Sequence, residues 1–425
     1  MKKGSIALLI SFLLVFGIFA EEGMYPISEI HKLDLKAKGL EIDVKDIFNP
    51  DGISLIDGIC NVGGCSGSFV SPDGLILTNH HCAYRAIQAA STKENDYLQN
   101  GFKAENKSEE IPAKGYTVRI TESYEDVSRD VLSVISEDMP FADRTKAIEK
   151  KMKEIVAKAE KENPGMRASV SEMFTGKTYV LFLYAYLKDL RLVYAPPRSI
   201  GNFGGETDNW MWPRHTGDFS YMRAYVAPDG SSADYAEDNV PYKPKKVIKV
   251  APQGVNEEDF VFILGYPGRT YRHRTSHYLA YEEEIRMPYV VDWYQWQIDV
   301  MEKIGESDRA IALKHLSRIK GLSNTMKNYR GKLKGLGRLR LVDKKRKEEE
   351  KLQAFIDSDP KRKEIYGNIL EEIGNVYQEI QKTADQNSVL SYLTRSSRLL
   401  SNAYTLYEAS IELQKKDLER ESAYM

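Results

Sequence analysis

Two adjacent histidines, His80 and His81, sit in the run Thr78-Asn79-His80-His81-Cys82. An imidazole titrates near neutral pH, so a histidine held at a cleft can take up a proton and return it. The pair therefore offers a candidate general base. Adjacent histidines can also lie idle on a surface or bind a metal. Metal binding fits poorly, because neighbouring residues at a strand end point to opposite faces and do not chelate together easily. The elements that must position the pair lie just upstream. Ser68 to Val70 forms an apolar strand, Pro72-Asp73-Gly74 a tight turn and Leu75 to Leu77 a second strand. This hairpin predicts that Thr78 to Cys82 leave from a strand end and that a short helix follows over 83–90.

A second group of polar and aromatic residues runs from Ser199 to Phe219, SIGNFGGETDNWMWPRHTGDF. Its glycines, two tryptophans and polar groups follow neither a helical nor a strand period. It reads as an ordered loop with aromatic walls and recognition groups, the usual make-up of a binding site. A purely structural loop is the plainer alternative. Asp218 and Asp208 are rival carboxylates for orienting a histidine, and His215 reads as structural. A carboxylate beside a histidine base fixes its tautomer and stabilises the imidazolium.

The chain has 425 residues, 42% hydrophobic and 29% charged, with a net charge of −2. That length predicts more than one domain, and the balance gives no global pull toward nucleic acid. The Lys344-Lys345-Arg346-Lys347 run precedes three glutamates and reads as a solvated helix face. Lys2 and Lys3 before the apolar run Ile6 to Phe19, with Ala20 as a small cleavage residue, read as a signal peptide over 1–20. No later stretch is apolar enough to span a membrane. The chain is expected to be exported to the periplasm or surface of a bacterium. Three cysteines suit such an oxidising compartment; Cys60, Cys65 and Cys82 leave one unpaired.

Alternation predicts strands over 116–120 and 167–174, a run of β-branched and aromatic residues predicts one over 179–187, and further short strands are expected over 191–194, 219–226 and 260–264. An amphipathic helical stretch is expected around Ile30 to Leu40. A longer helix is expected over 141–163, inserted in the β region, with Ile148, Met152, Ile155, Val156 and Ala159 on one face and Pro164-Gly165 as its stop. From about Tyr278 the pattern is helical to the end: 280–303, 308–328, 330–357, 361–384 and 389–420. The fold class expected is α+β and multidomain: a β domain over 21–275 and an α-helical domain over 276–425.

The hairpin ending in His-Cys resembles the way trypsin-like double-barrel peptidases present their base. More specifically, GGCSGSFVSPDGLILTNHHC, GNFGGETDNWMWPRHTGDFS, GYPGRT and the helical LSNTMKN closely resemble the bacterial dipeptidyl-peptidase 7 and 11 family of serine peptidases. The resemblance covers the chain after residue 20. It implies a chymotrypsin-like β-barrel with a helical capping domain, and release of dipeptides from a free amino terminus without a cofactor or metal. His81 would be the base and Asp218 its orienting partner. Asn209 and Trp210 would hold the substrate's amino end with Asn324, Asn328 being the less favoured alternative. Cys65 and Cys82 would form a disulfide beside the base, with Cys60 as a competing partner. Peptides with a free amino terminus would be the substrates, and a homodimer is possible.

The resemblance also implies a nucleophilic serine in a glycine-flanked turn after the helical domain, and no such turn follows Asp218. Gly64-Cys65-Ser66-Gly67 is the one G-x-S-G sequence and reads as structural. The expectation is therefore a chain that holds base and orienting Asp but lacks the nucleophile, an N-terminal portion of a longer peptidase. A catalytically incomplete protein that binds peptide amino termini is the alternative. A metal-dependent hydrolase using His80, His81 and Asp218 ranks third.

Overall fold

A computed structural model describes residues 24–424 apart from 93, 137 and 269. The expected signal peptide lies outside these residues. The described strands join in one antiparallel sheet of eleven. In chain order they are β1 (Ile59–Val62), β2 (Cys65–Phe69), β3 (Leu75–Thr78), β4 (Phe102–Lys103), β5 (Ile111–Pro112), β6 (Val118–Asp126), β7 (Met166–Phe174), β8 (Thr178–Leu187), β9 (Asp189–Ala195), β10 (Ser220–Val226) and β11 (Val240–Pro241). The main path across the sheet is β4-β9-β10-β3-β2-β1-β6-β8-β7.

The β2–β3 hairpin forms as the Pro-Asp-Gly turn predicts. Gly74 takes φ +67°, and a Cβ there would meet the carbonyl oxygens of Ala224 and Tyr242 at 2.8 Å. Both the backbone angle and the close approach of neighbouring chain demand glycine. Phe69 and Ile76 face each other across the hairpin and are fully buried. They share the main core with Val62, Val118, Leu190, Leu192 and Met222.

The helix after β3 starts earlier than expected, at His80 rather than 83, and runs to Ala90. Asn79 is extended, and its carbonyl accepts the N–H groups of Cys82 and Ala83. His80, Ala83, Ala86 and Ile87 make a 3–4 spaced stripe that buries against the core. The two histidines therefore leave from a helix's first turn, and neighbours on a helix face different directions. His80 points inward and His81 outward.

The helix Phe141–Glu162 forms as expected. Its Ile148, Met152 and Ile155 pack on Val127, Val131 and Tyr179 against β8. Two expectations are corrected. Around Ile30 to Leu40 there is a 3-10 turn at Ile27–Lys32 and then turns, in place of one helix. Asp34 accepts the Ala37 N–H and Gly39 takes φ +101°, so local bonds divert the backbone. Residues 260–264 are not a strand. Phe260 and Leu264 pack on the Ile30–Leu40–Ile47 cluster, but no neighbouring strand supplies a ladder among the described residues.

From Ser276 onward the described elements are helical, chiefly Met287–Gly305, Arg309–Leu339, Leu341–Asp357, Ile369–Lys382, Ala384–Ser396 and Arg398–Glu412. The Arg309–Leu339 helix runs past the break expected near 329 and stops at Arg340, which takes φ +48°. It packs on Met287–Gly305 through Val291, Ile298 and Met326. No described helix is long and apolar enough to cross a membrane.

Candidate active site

The sheet register brings the histidine pair to its carboxylate. β3 and β10 run antiparallel with Thr78 opposite Ser220. The residues just after β3 therefore meet those just before β10. Asp218 Oδ2 lies 2.6 Å from His81 Nδ1, and Asp218 Oδ1 accepts the His81 backbone N–H at 2.9 Å. Asn79 Nδ2 donates to the Asp218 carbonyl at 3.1 Å. One carboxylate thus grips both the ring and the backbone of His81. Asp208, the rival, folds back over Gly204 in the short helix Gly205–Asp208.

Burial alone would raise the Asp218 carboxyl, but the hydrogen bonds from the His81 ring and backbone hold it below the ordinary carboxylate range. An ionised carboxylate only accepts, so Nδ1 carries the ring proton and Nε2 is left as the base. The His81 side chain is 61% exposed and that of Asp218 only 23%, so the base faces outward from a half-buried anchor.

Cys65 and Cys82 form a disulfide that ties β2 to the first turn of the histidine helix, with Cα atoms 6.2 Å apart. Cys82 Sγ lies 3.4 Å from His81 Nε2. Cys60 is free and buried, and burial pushes its thiol pKa up. Cys65, His81 and Cys82 cluster closely, but two of the three sulfur and nitrogen donors are spent in the disulfide. The Ser66 hydroxyl accepts the Tyr266 N–H at 2.8 Å, so it braces the Gly265-Tyr266 turn. Among the described residues no serine hydroxyl bonds to His81 Nε2. A shallow cavity of about 240 Å³ opens beside the pair, lined by Ser66, Thr78, Asn79, Asp218 and Phe219.

His80 does something different. Its ring is 1% exposed, its Nε2 has no partner among the described residues, and it packs on Gly201. A Cβ at Gly201 would fall 2.6 Å from that ring. Burial holds the His80 pKa below the ordinary imidazole value; Asp218 pulls the other way, while Lys320 and His81 push it further down. The unfolded chain then binds a proton that the folded chain refuses. Stability is present above the unfolded value of about 6.5 and is lost as pH falls through the folded value. Asp218 adds a second loss lower down, present above about 3.9 and lost as pH falls through its own depressed value. The expected result is a melting temperature that drops between about pH 7.5 and pH 5.5, and a flatter profile over that interval in His80→Phe. Equal slopes in both proteins would contradict it.

The 199–219 loop does form a polar cluster with the helix Arg309–Leu339. Asn209 Nδ2 donates to Asn324 Oδ1 at 2.8 Å, and Trp210 Nε1 donates to the same oxygen at 3.0 Å. Asn328 makes no hydrogen bond to this group among the described residues. His215 is exposed. Three residues the sequence reading passed over also join in. Glu206 Oε2 accepts from Asn209 Nδ2 at 3.2 Å, Arg214 donates to Asn209 Oδ1 at 3.3 Å, and Lys327 Nζ donates to the Glu206 and Thr207 carbonyls. The available signal was spacing: Glu206 stands three before Asn209, and Lys327 three after Asn324. Trp210 takes φ +59°, and with Met211, Met326, Lys327 and Arg330 it lines a cavity of about 450 Å³.

A His–Asp pair braced by a disulfide, on an antiparallel sheet, is an arrangement suited to proton transfer in peptide hydrolysis. The Peptidase S46 model matches residues 20–425, and the chain belongs to that family. It is 37% identical over 409 residues to dipeptidyl-peptidase 7 of Capnocytophaga gingivalis, covering 95% of this chain and 57% of that protein. It is 36% identical over 424 residues to an Asp/Glu-specific dipeptidyl-peptidase of Shewanella putrefaciens, covering 99% and 57%. The crystal structure of Porphyromonas endodontalis DPP11 in complex with dipeptide Arg-Asp is similar with a TM-score of 0.78 and 32% identity, covering 86% of this chain and 53% of that one. The chain thus spans a little over half the length of these relatives.

Proposed function

We propose that the chain carries the base and substrate-anchoring half of a serine dipeptidyl aminopeptidase. The observation that carries this is Asp218 bonding His81 at both ring and backbone. His81 Nε2 takes the proton of an attacking serine hydroxyl and returns it to the leaving amine. Asp218 stabilises the imidazolium between the two steps. The serine lies outside the described residues in this reading, since the Ser66 hydroxyl is engaged with Tyr266. The sheet would form one barrel of a chymotrypsin-like pair, with the domain boundary near 275 and the helices as a cap over the cleft.

Asn209, Trp210 and Asn324 hold the substrate's amino end and so set cleavage after the second residue. The relatives named for dipeptide release, and the related structure titled with a bound dipeptide, support this reading. Peptides with a free amino terminus are the substrate class. Export to the periplasm or cell surface fits the Cys65–Cys82 bridge, since disulfides persist in oxidising compartments.

The test, made with the serine-bearing portion present, is a pair of fluorogenic dipeptidyl amides, one with a free amine and one N-acetylated. Only the free amine is expected to be cleaved. Asn209→Ala is expected to raise KM about tenfold, a loss of about 1.4 kcal/mol of binding, with a smaller change in kcat. Equal cleavage of both substrates would refute the amino-terminal anchor.

A further inference from the structure

The brace beside the base is made of atoms that bind soft metals. Cys65 Sγ, Cys82 Sγ and His81 Nε2 all lie within 4.8 Å of one another. Cys82 Sγ is 3.4 Å from Nε2, close to the spacing of about 3.6 Å that a sulfur and a nitrogen take around one tetrahedral zinc. His81 also has the outer partner that zinc-binding histidines use. Asp218 accepts its Nδ1 proton at 2.6 Å, which fixes the ring and leaves the Nε2 lone pair free.

What blocks a metal is the bond between the two sulfurs. Opening that bond does not scatter the donors. Cys65 pairs with Val62 in the β1–β2 ladder, and the Cys82 carbonyl accepts the Tyr116 hydroxyl proton at 2.8 Å. His81 keeps its backbone bond to Asp218. The Cα atoms of the two cysteines stand 6.2 Å apart, so rotation of their side chains can set the sulfurs about 3.8 Å apart, as a shared zinc requires. Both cysteines are half-buried and His81 is exposed, so a reductant and a metal can reach them. Cys60 stays out of the group, wholly buried in the core.

We propose that the chain with this bridge reduced holds a zinc site made of Cys65, Cys82 and His81, and that the metal takes the base out of use. A dithiol gives the bridge two electrons and two protons and leaves as its own disulfide. Zinc then displaces the two thiol protons and accepts the Nε2 lone pair, with water in the fourth position. Two thiolates make the site choose zinc over magnesium or calcium. The reduced state exists before the bridge first closes and whenever a dithiol reopens it. The metal site goes beyond the peptidase reading and stands without it; only its consequence for turnover depends on His81 being the base.

The test is zinc binding to the full chain, either oxidised or reduced with dithiothreitol and desalted under nitrogen, measured by competition with a chromophoric chelator. The reduced chain is expected to bind one zinc at least about a thousandfold more tightly than the oxidised chain. His81→Ala should weaken that binding by about tenfold or more, and Asp218→Asn, which alters the outer partner, by about tenfold. Cys60→Ala should leave it unchanged. Cobalt in place of zinc should give the absorption of a tetrahedral site with thiolate charge transfer, and its ligand-field bands should shift in His81→Ala. Zinc should also raise the melting temperature of the reduced chain and not that of the oxidised chain, a readout that holds even where reduction loosens the fold. Equal binding by the two forms, or no such rise in melting temperature, would overturn the site. So would reduced-chain binding indifferent to His81→Ala, since the thiols alone would then hold the metal and the base would stay free.

Discussion

With the serine-bearing portion that the proposed function requires present, Asp218→Asn is expected to lower turnover by about 10⁴, close to 5.5 kcal/mol in activation free energy, without unfolding the protein. The wild-type carboxylate supplies two acceptor oxygens, one for the His81 N–H and one for the ring Nδ1–H. An asparagine has one oxygen and one NH2. If the oxygen keeps the backbone N–H, the NH2 faces Nδ1. Nδ1 must then accept, the ring proton moves to Nε2, and the base is disabled. If the amide flips, the backbone N–H loses its acceptor. Either way the imidazolium of the transition state loses its counter-charge. The check is kcat for wild type and variant, with the melting temperature as a control. The proton spectrum is a second readout: a low-field Nδ1–H resonance expected in the wild type should vanish in the variant. A fall in kcat of less than about tenfold would remove His81–Asp218 from the mechanism.

The parts of this site that were legible in the sequence are the ones written in contiguous residues. The Pro72-Asp73-Gly74 turn, with Phe69 and Ile76 on the inner face, specifies the hairpin because turn chemistry and strand alternation agree there. Pro164-Gly165 ends the Phe141–Glu162 helix for equally local reasons. The helix start at His80 was less visible, because Asn79-His80-His81 suits a strand exit as well as a first helical turn. Burial of His80 against Gly201, a contact 121 residues apart in sequence, settles it. Phe260 to Leu264 is an apolar run of strand composition but pairs with no strand among the described residues, since a ladder is a property of two segments and one segment cannot reveal it.

The choice between Asp208 and Asp218 was open from residue types alone. It is decided by the Thr78–Ser220 register, which no local pattern encodes. Glu206, Arg214 and Lys327 were missed because single charges in an aperiodic loop look like solvated surface. Their meaning emerges only when the loop docks on the Arg309–Leu339 helix. Asn324 was singled out through resemblance to known peptidases, not through its own surroundings.

The strand that delivers Asp218 is itself held by buried charge, and removing that charge should be the most destabilising single change in the β region. Asp189 is 1% exposed and faces Tyr225 across the β9–β10 ladder. It takes two bonds from Arg191, at 3.2 and 2.7 Å, and one from Asn239 at 2.9 Å. The Arg191 guanidinium, also buried, lies 3.8 Å above the Tyr225 ring and donates to the Ala236 carbonyl. On β10 itself, Arg223 and the Tyr225 hydroxyl bond Glu110, the residue just before β5. Asp189→Ala strands the Arg191 charge with one carbonyl and the rings of Tyr225 and Tyr235, and the expected loss is about 3–5 kcal/mol in urea unfolding. Replacing both partners together, Asp189→Leu with Arg191→Met, removes the uncompensated charge and should recover much of that loss. A loss below about 1 kcal/mol in the single variant would mean that water reaches Arg191 in the folded chain. Because β10 begins two residues after Asp218, the single variant should also lower turnover in the temperature range where the double variant does not. That split would tie the buried ion pair to the geometry of His81 through the strand they share.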